Sequence, residues 1–327
     1  MNDTLQQSRL KSWLQLVRLP NLLTVPGDPL VGFLLASAGG AAPRAASGWA
    51  GLFQGVLIDQ PWARAALMVA AALLFYMRGL ITNDLADFAE DKRDRPDRPL
   101  PSGAVNVRSA ALAASALGLG GMVLATLCGA AGCAIGILLV LSMASYNTFV
   151  KRHPVAGPLN MGLCRSLSLL LGAAAAGWGI GMLPVVTAAA VLGLYIATTT
   201  AIAAGETTQR DLGHKRWGPP VVLLLGFPAL AHSTTWMSTS LQFAAMGVTA
   251  IAAFYAVWWS LLLAGKPHPV IVQMIVGKLI AGLMLIQAGM AVMAITDKTS
   301  YAPWILIGVL LVGRLLSPAL RRRFYSS

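Results

Sequence analysis

The sequence predicts an all-α polytopic membrane protein. Three observations carry that prediction. First, only 11% of the 327 residues are charged while 57% are hydrophobic; a soluble domain carries about 25% charged residues. So few charges cannot cover a water-soluble globule of this size. Second, apolar residues arrive in long blocks, such as 220–231, 243–264 and 279–295, and blocks near ~20 residues match the ~30 Å hydrocarbon core of a bilayer. Third, the blocks are continuous and not alternating, which excludes membrane strands. The mean hydropathy of +0.69 agrees.

Ten candidate spans follow, at 20–41, 63–83, 109–128, 130–149, 159–180, 183–204, 218–236, 242–264, 270–294 and 302–318. Pro219, Pro220 and Pro228 are expected to break the seventh, and the tenth is short. Basic residues sort the connections. Arg9, Lys11 and Arg18 precede the first span; Lys92, Arg93, Arg95, Arg98 and Arg108 follow the second; Lys151 and Arg152 follow the fourth. Arg210, Lys215 and Arg216 follow the sixth, Lys266 the eighth, and Arg321, Arg322 and Arg323 close the chain. The opposite connections hold only Arg44, Arg64 and Lys298. The positive-inside rule therefore predicts a multi-pass protein of the inner (plasma) membrane with both termini cytoplasmic. An even number of spans follows, favouring ten over nine. No linker divides residues 1–327, so one transmembrane unit is expected. The N-terminus does not read as a cleavable signal peptide. Cys128, Cys133 and Cys164 lie in apolar stretches and read as small buried hydrophobes. The net charge of +12 is spread over loops and does not indicate nucleic acid.

Six of the twelve acidic residues fall between Asp84 and Asp97. In a helix continuing past span two, Asp84, Asp87 and Asp91 stand at i, i+3 and i+7, on one face. Asn83 lies one turn before Asp87 and offers an amide oxygen. Stacked carboxylates repel one another, and a divalent cation reverses that sign. Mg²⁺ takes hard oxygen ligands and commonly bridges one or two carboxylates to phosphates. One reading is thus a metal–diphosphate site; the other is a solvated loop whose acids pair with Lys92, Arg93, Arg95 and Arg98. Asp94 and Asp97, interleaved with arginines, fit the second. Glu206 and Asp211, the only acids between residues 98 and 296, offer a second metal site or a helix cap in which Asp211 pairs with Arg210 or Lys215.

Basic and amide groups gather at the same end. Tyr146, Lys151, Asn160 and Arg165 surround the connection after span four, and Arg78 precedes the acids. Arg and Lys suit phosphate oxygens by charge and geometry, although Lys151 also suits a positive-inside anchor. Arg165 lies inside a span, where ionisable groups face a cavity or a partner. Lys278 is left without a role beyond snorkelling. The first span holds Asn21 and Asp28 among prolines 20, 26 and 29 and Gly27, which kink the helix and turn both towards an interior chamber. No nucleotide loop, His-rich metal motif or nucleophile elbow is present.

The run Asn83-Asp84-x-x-Asp87-x-x-x-Asp91, followed by Arg98-Pro99-Leu100-Pro101-Ser102-Gly103, resembles the UbiA superfamily of intramembrane prenyltransferases. Arg18-Leu19-Pro20-Asn21, Tyr146 with Lys151, and Asn160 with Arg165 fit the same family in the same order, over about 13–295. The resemblance implies nine to ten helices around a central cavity. It implies Mg²⁺ and a prenyl diphosphate held by two acidic motifs: Asp84, Asp87 and Asp91 as metal and catalytic residues, with Asn83, Lys151, Asn160, Arg165, Asn21 and Tyr146 binding substrate. Glu206 and Asp211 match the second motif, which is atypical here. The chain resembles the EboC-like members most, and the helix at 302–318 is extra to the usual nine. The implied reaction transfers an isoprenoid from a prenyl diphosphate, through an allylic cation, to an aromatic or hydroxyl group of a small lipophilic acceptor. The alternative implied by the altered second motif is a non-catalytic transporter or carrier on the same fold. Membrane lipids are the expected surroundings.

Overall fold

The structure is a computed structural model and describes residues 10–40, 60–177, 182–204, 209–296 and 301–324. Every regular element among the described residues is helical. After a helical stretch at 10–16 and a turn at Leu19–Leu22 come α1 (Gly27–Ala38), α2 (Pro61–Ala86), α3 (Phe88–Asp94), α4 (Val107–Leu127), α5 (Ala130–Ser145) and α6 (Ala156–Ala175). Next are α7 (Leu183–Ala203), α8 (Gly218–Ser233), α9 (Thr239–Leu261), α10 (Pro269–Val292) and α11 (Ala302–Phe324).

Local chemistry explains the ends. Proline stands in the first turn of α2, α7, α8 and α10, where its missing N–H is no loss. The Asn106 side chain caps α4 by accepting the N–H of Arg108 at 2.8 Å. Gly129, at φ 98°, makes the left-handed step between α4 and α5 that other residues resist. One expectation changes and one holds. Pro219 and Pro220 open α8 without breaking it, and α8 continues through Pro228. The first span is divided at 23–26, as its prolines predict.

Eight helices among the described residues are long and apolar enough to cross a bilayer. Of the ten predicted spans, α6 and α8 fall short. Asn160 and Arg165 dilute the apolar character of α6, and α8 is only 16 residues long. Burial separates an inner layer from an outer one: 67% of the span Leu19–Ala38 is buried, against 22% of Ala130–Val150. The inner helices α1, α6, α7 and α10 pack on one another, and α2, α4, α5, α8, α9 and α11 surround them. Leucines such as Leu112, Leu119 and Leu315 stay exposed on the outer helices, as a lipid-facing surface requires.

Glycine sets the closest approaches. A Cβ at Gly172 would lie 1.8 Å from the carbonyl of Pro29, and one at Gly32 would lie 2.0 Å from that of Leu169. These two crossings lock α1 to α6. On the other side of α6, a Cβ at Gly162 would lie 2.2 Å from the carbonyl of Gly193 in α7. Small residues allow such backbone contact, the main source of helix association where lipid replaces water. The interior is therefore tight. A narrow cavity lies between Val25, α2, α5 and α6, walled by Phe75, Tyr76, Leu139 and Met143, with Arg165 and Ser168 at its polar side.

Candidate active site at one end of the bundle

The acidic run folds almost as its spacing predicts. α2 ends at Ala86, Asp87 forms the junction, and α3 resumes at Phe88. The hydrogen bonds Asp87 N to Asn83 O (3.0 Å) and Asp91 N to Asp87 O (2.8 Å) carry helical pairing across the junction. Asp84 and Asp91 are buried.

Each of the three aspartates meets a cation from elsewhere in the chain. Arg98 lies between two of them, 2.6 Å from Asp91 and 4.0 Å from Asp84. Arg18 reaches Asp84 at 3.4 Å. Lys151 pairs with Asp87, which also accepts from the Asn83 amide at 3.1 Å. Further out, Arg152 reaches Glu90 at 3.4 Å, and Arg93 bonds Asp94 at 2.8 Å on the open surface. That hydrogen bond holds the Asp94 carboxyl below its usual range.

Three local devices aim these cations. The turn after Arg98 closes through Ser102 N to Arg98 O (3.0 Å) and Val105 N to Pro99 O (2.9 Å). Gly103 takes φ 76° there, and Arg98 is returned onto α3. Arg18 is the one non-glycine residue with positive φ among the described residues, at 48°. Such a conformation costs about 1 kcal/mol or more and turns the chain from 10–16 into Leu19–Leu22. Lys151 follows one turn of π-helix at Tyr146–Val150. This wide turn also brings Asn147 onto α2, where its amide donates to Thr82 at 3.0 Å. Such turns concentrate at functional sites.

Arg165 and Asn160, among the other sequence-predicted residues, bond away from the three aspartates. Arg165 is buried at the Asp28 carboxylate, Nε to Oδ2 3.1 Å, and donates to the Thr24 carbonyl at 3.0 Å. Gln287 of α10 completes this cluster, donating to Asp28 at 2.6 Å and to Thr24 O at 2.7 Å. Asn160 accepts from Ser142 of α5 at 2.6 Å. The backbone carbonyl of Asn21 accepts from Thr24. Tyr146 is half-buried at the start of the π turn. Asp211 caps the turn Gly213–Trp217, accepting the Gly213 N–H at 2.8 Å; no ion pair joins it to Arg210 or Lys215 among the described residues. Glu206 lies outside the described residues. The sequence places Arg18 and Arg98 within the motifs without marking them as site residues, and Thr82 and Asn147 carry no sequence signal.

No three His, Cys, Asp or Glu side chains among the described residues converge tightly enough to enclose a metal. The chemistry nevertheless suits Mg²⁺, which keeps several waters and needs only one or two carboxylates beside phosphate oxygens. A guanidinium set between Asp84 and Asp91 marks where positive charge is favoured.

A helical membrane bundle with a carboxylate–cation cluster at one mouth is thereby defined. The UbiA prenyltransferase family model matches residues 45–267, and the chain belongs to that family. Similar curated proteins are the digeranylgeranylglyceryl phosphate synthases. That of Methanoculleus marisnigri is 33% identical over 111 residues, 34% of this chain and 40% of that one. That of Saccharolobus solfataricus is 28% identical over 163 residues, 50% of this chain and 51% of that one. The chain thus spans about half or less of the length of these relatives. Among solved structures, a UbiA homolog from Aeropyrum pernix K1 superposes with a TM-score of 0.56 at 20% identity, covering 82% of this chain and 96% of that one. A UbiA homolog from Archaeoglobus fulgidus bound to GPP and Mg²⁺ gives 0.55 at 16% identity, over 87% and 100%. Both confirm the fold.

Proposed function

We propose that the protein is an Mg²⁺-dependent intramembrane prenyltransferase whose active site is the mouth formed by Asp84, Asp87 and Asp91. The observation that carries this reading is the pairing of all three carboxylates with Arg18, Arg98 and Lys151. A metal–diphosphate ligand would offer each group a new partner of opposite charge. The carboxylates would turn to the metal, and the cations to diphosphate oxygens. Asp84, Asp87 and Asp91 would hold Mg²⁺, which would supply neutralisation of charge on the diphosphate leaving group. Lys151 and Arg98 hold the departing diphosphate in place. Phe75, Tyr76, Leu139 and Met143 keep water from the allylic carbon. Arg165 supports the site from below, because its guanidinium is committed to Asp28.

The relatives are named for a glyceryl phosphate product, which favours a hydroxyl acceptor over an aromatic carbon. The mouth is assigned to the cytoplasmic face by the charge asymmetry of the connections, and the whole chain to one transmembrane unit. A second reading, a carrier of isoprenoid metabolites, draws on Asp211, whose carboxylate serves as a turn cap.

The test uses purified full-length protein in nanodiscs with geranyl, farnesyl and geranylgeranyl diphosphates, a panel of hydroxyl and aromatic acceptors, and Mg²⁺ or EDTA. Release of diphosphate that needs Mg²⁺ and disappears in Asp87→Ala establishes the enzyme. Binding without release for every acceptor supports the carrier. Full turnover by a folded Asp87→Ala protein overturns the assignment.

A further inference from the structure

A second polar cluster stands apart from the acids, on α9, α10 and the C-terminal helix α11. Arg314 Nη2 donates to the Tyr255 hydroxyl at 2.8 Å, and its Cζ lies 5.2 Å from the Tyr255 ring centre. Tyr255 in turn donates to the Lys278 carbonyl at 3.1 Å. Its ring stands edge-on to Trp259, centroids 6.0 Å apart, and the Lys278 ammonium lies 5.7 Å from the Trp259 ring. Two positive charges are thus assembled inside membrane-spanning helices.

Their partners do not balance them. Among the described residues, no carboxylate lies within ion-pair distance of Lys278 or Arg314, whereas Asp84, Asp87 and Asp91 all have cations. The Lys278 ammonium makes no hydrogen bond to a described residue. Two buried N–H groups, Arg314 Nε and Trp259 Nε1, also lack acceptors. Cations and unmet donors within a bilayer are costly and face an anionic partner. Aromatic faces alone offset only part of that cost.

Depth narrows the choice of anion. Gln209, just before α8, donates to the Lys266 carbonyl, just before α10, at 3.0 Å. With antiparallel connections, this puts the start of α10 and the ends of α9 and α11 at the same end of the bundle as the acids. Lys278 lies about 13 Å along α10 from Pro269 at 1.5 Å per residue. A lysine side chain extends towards the interface from there. Lys278 and Arg314 also fall outside residues 45–267 matched by the family model.

We infer that Lys278 and Arg314 form a binding site for a phosphate group presented at the membrane surface, the headgroup of an anionic lipid. The same chemistry would accept free phosphate, so the test separates the two. Full-length protein in mild detergent is titrated with phosphatidic acid, phosphatidylcholine or inorganic phosphate, and binding is read by native mass spectrometry. Wild type is expected to bind phosphatidic acid at least tenfold more tightly than phosphatidylcholine. Lys278→Gln with Arg314→Gln abolishes that preference, and Lys278→Arg retains it. Lys278→Gln alone weakens it while leaving the Arg314–Tyr255 bond in place. Hydrogen exchange on the wild type, slowed in 255–261 and 274–280 by phosphatidic acid, needs no variant. Competition by millimolar inorganic phosphate identifies a phosphate-reading site; its failure identifies an intact lipid as the ligand. Equal binding of the two lipids by wild type, or undiminished preference in a folded double variant, overturns the proposal.

Discussion

The chain holds two kinds of carboxylate–guanidinium pair, and their surroundings differ. At the mouth, Arg98 and Arg18 are 29% and 33% exposed where they meet Asp91 and Asp84. Inside, Asp28 is fully buried and Arg165 only 10% exposed. Asp84 and Asp91 are themselves buried, so the difference lies in the guanidinium, which at the mouth keeps contact with water and is held less firmly. In the fully buried pair, removing one member leaves an uncompensated charge, at about 3–5 kcal/mol. The mouth pairs are the more open of the two, and the interior pair joins α1, α6 and, through Gln287, α10.

Breaking the interior pair gives the largest expected effect. Arg165→Leu, which strands Asp28, should lower stability by about 3–5 kcal/mol and sharply reduce the yield of folded protein. The double change Asp28→Leu, Arg165→Leu should recover most of that loss, measured by thermal unfolding in detergent. A single change without cost would erase the contrast between the two pairs. At the mouth, Asp87→Ala should lower turnover by about 10²–10³-fold, the range for losing one electrostatic contact of the transition state, with an unchanged unfolding temperature. Gly172→Ala tests the frame that holds the interior pair. Its Cβ would lie 1.8 Å from Pro29 O, and a loss of about 1–3 kcal/mol is expected. Lys151→Ala should weaken diphosphate binding by about tenfold, equivalent to about 1.4 kcal/mol, read by isothermal calorimetry. Asp94→Asn, on the open surface, should leave activity and unfolding unchanged.

The parts of the site visible in the sequence are those set by local geometry. Asp84, Asp87 and Asp91 share a helical face because i, i+3 and i+7 lie together in any helix. The membrane class follows from composition and from the length and continuity of the apolar blocks. Arg165 shows the limit. Its depth in a span was legible, but the direction of its side chain is set by how α6 packs on α1, and it points to Asp28. Asn160 follows the same rule, turning to Ser142 of α5. The π turn before Lys151 has no composition that marks it. Arg98 was legible as part of a motif, yet its place between Asp84 and Asp91 depends on a turn closed through Gly103.

The glycine crossings on α6 have a mechanical consequence. Along α1 and α7, backbone meets backbone with no side chain to rotate aside, so those seams are stiff. Across the cavity, α2 and α5 meet differently: a Cβ on Gly79 would lie 3.3 Å from the Met143 sulfur, and a thioether side chain swings readily. The seam between α2 and α5 is therefore softer than those of α6 with α1 and α7. Any guest larger than the narrow cavity must gain its room by displacing Met143 and the wall it belongs to, while α1, α6 and α7 stay fixed as the anvil.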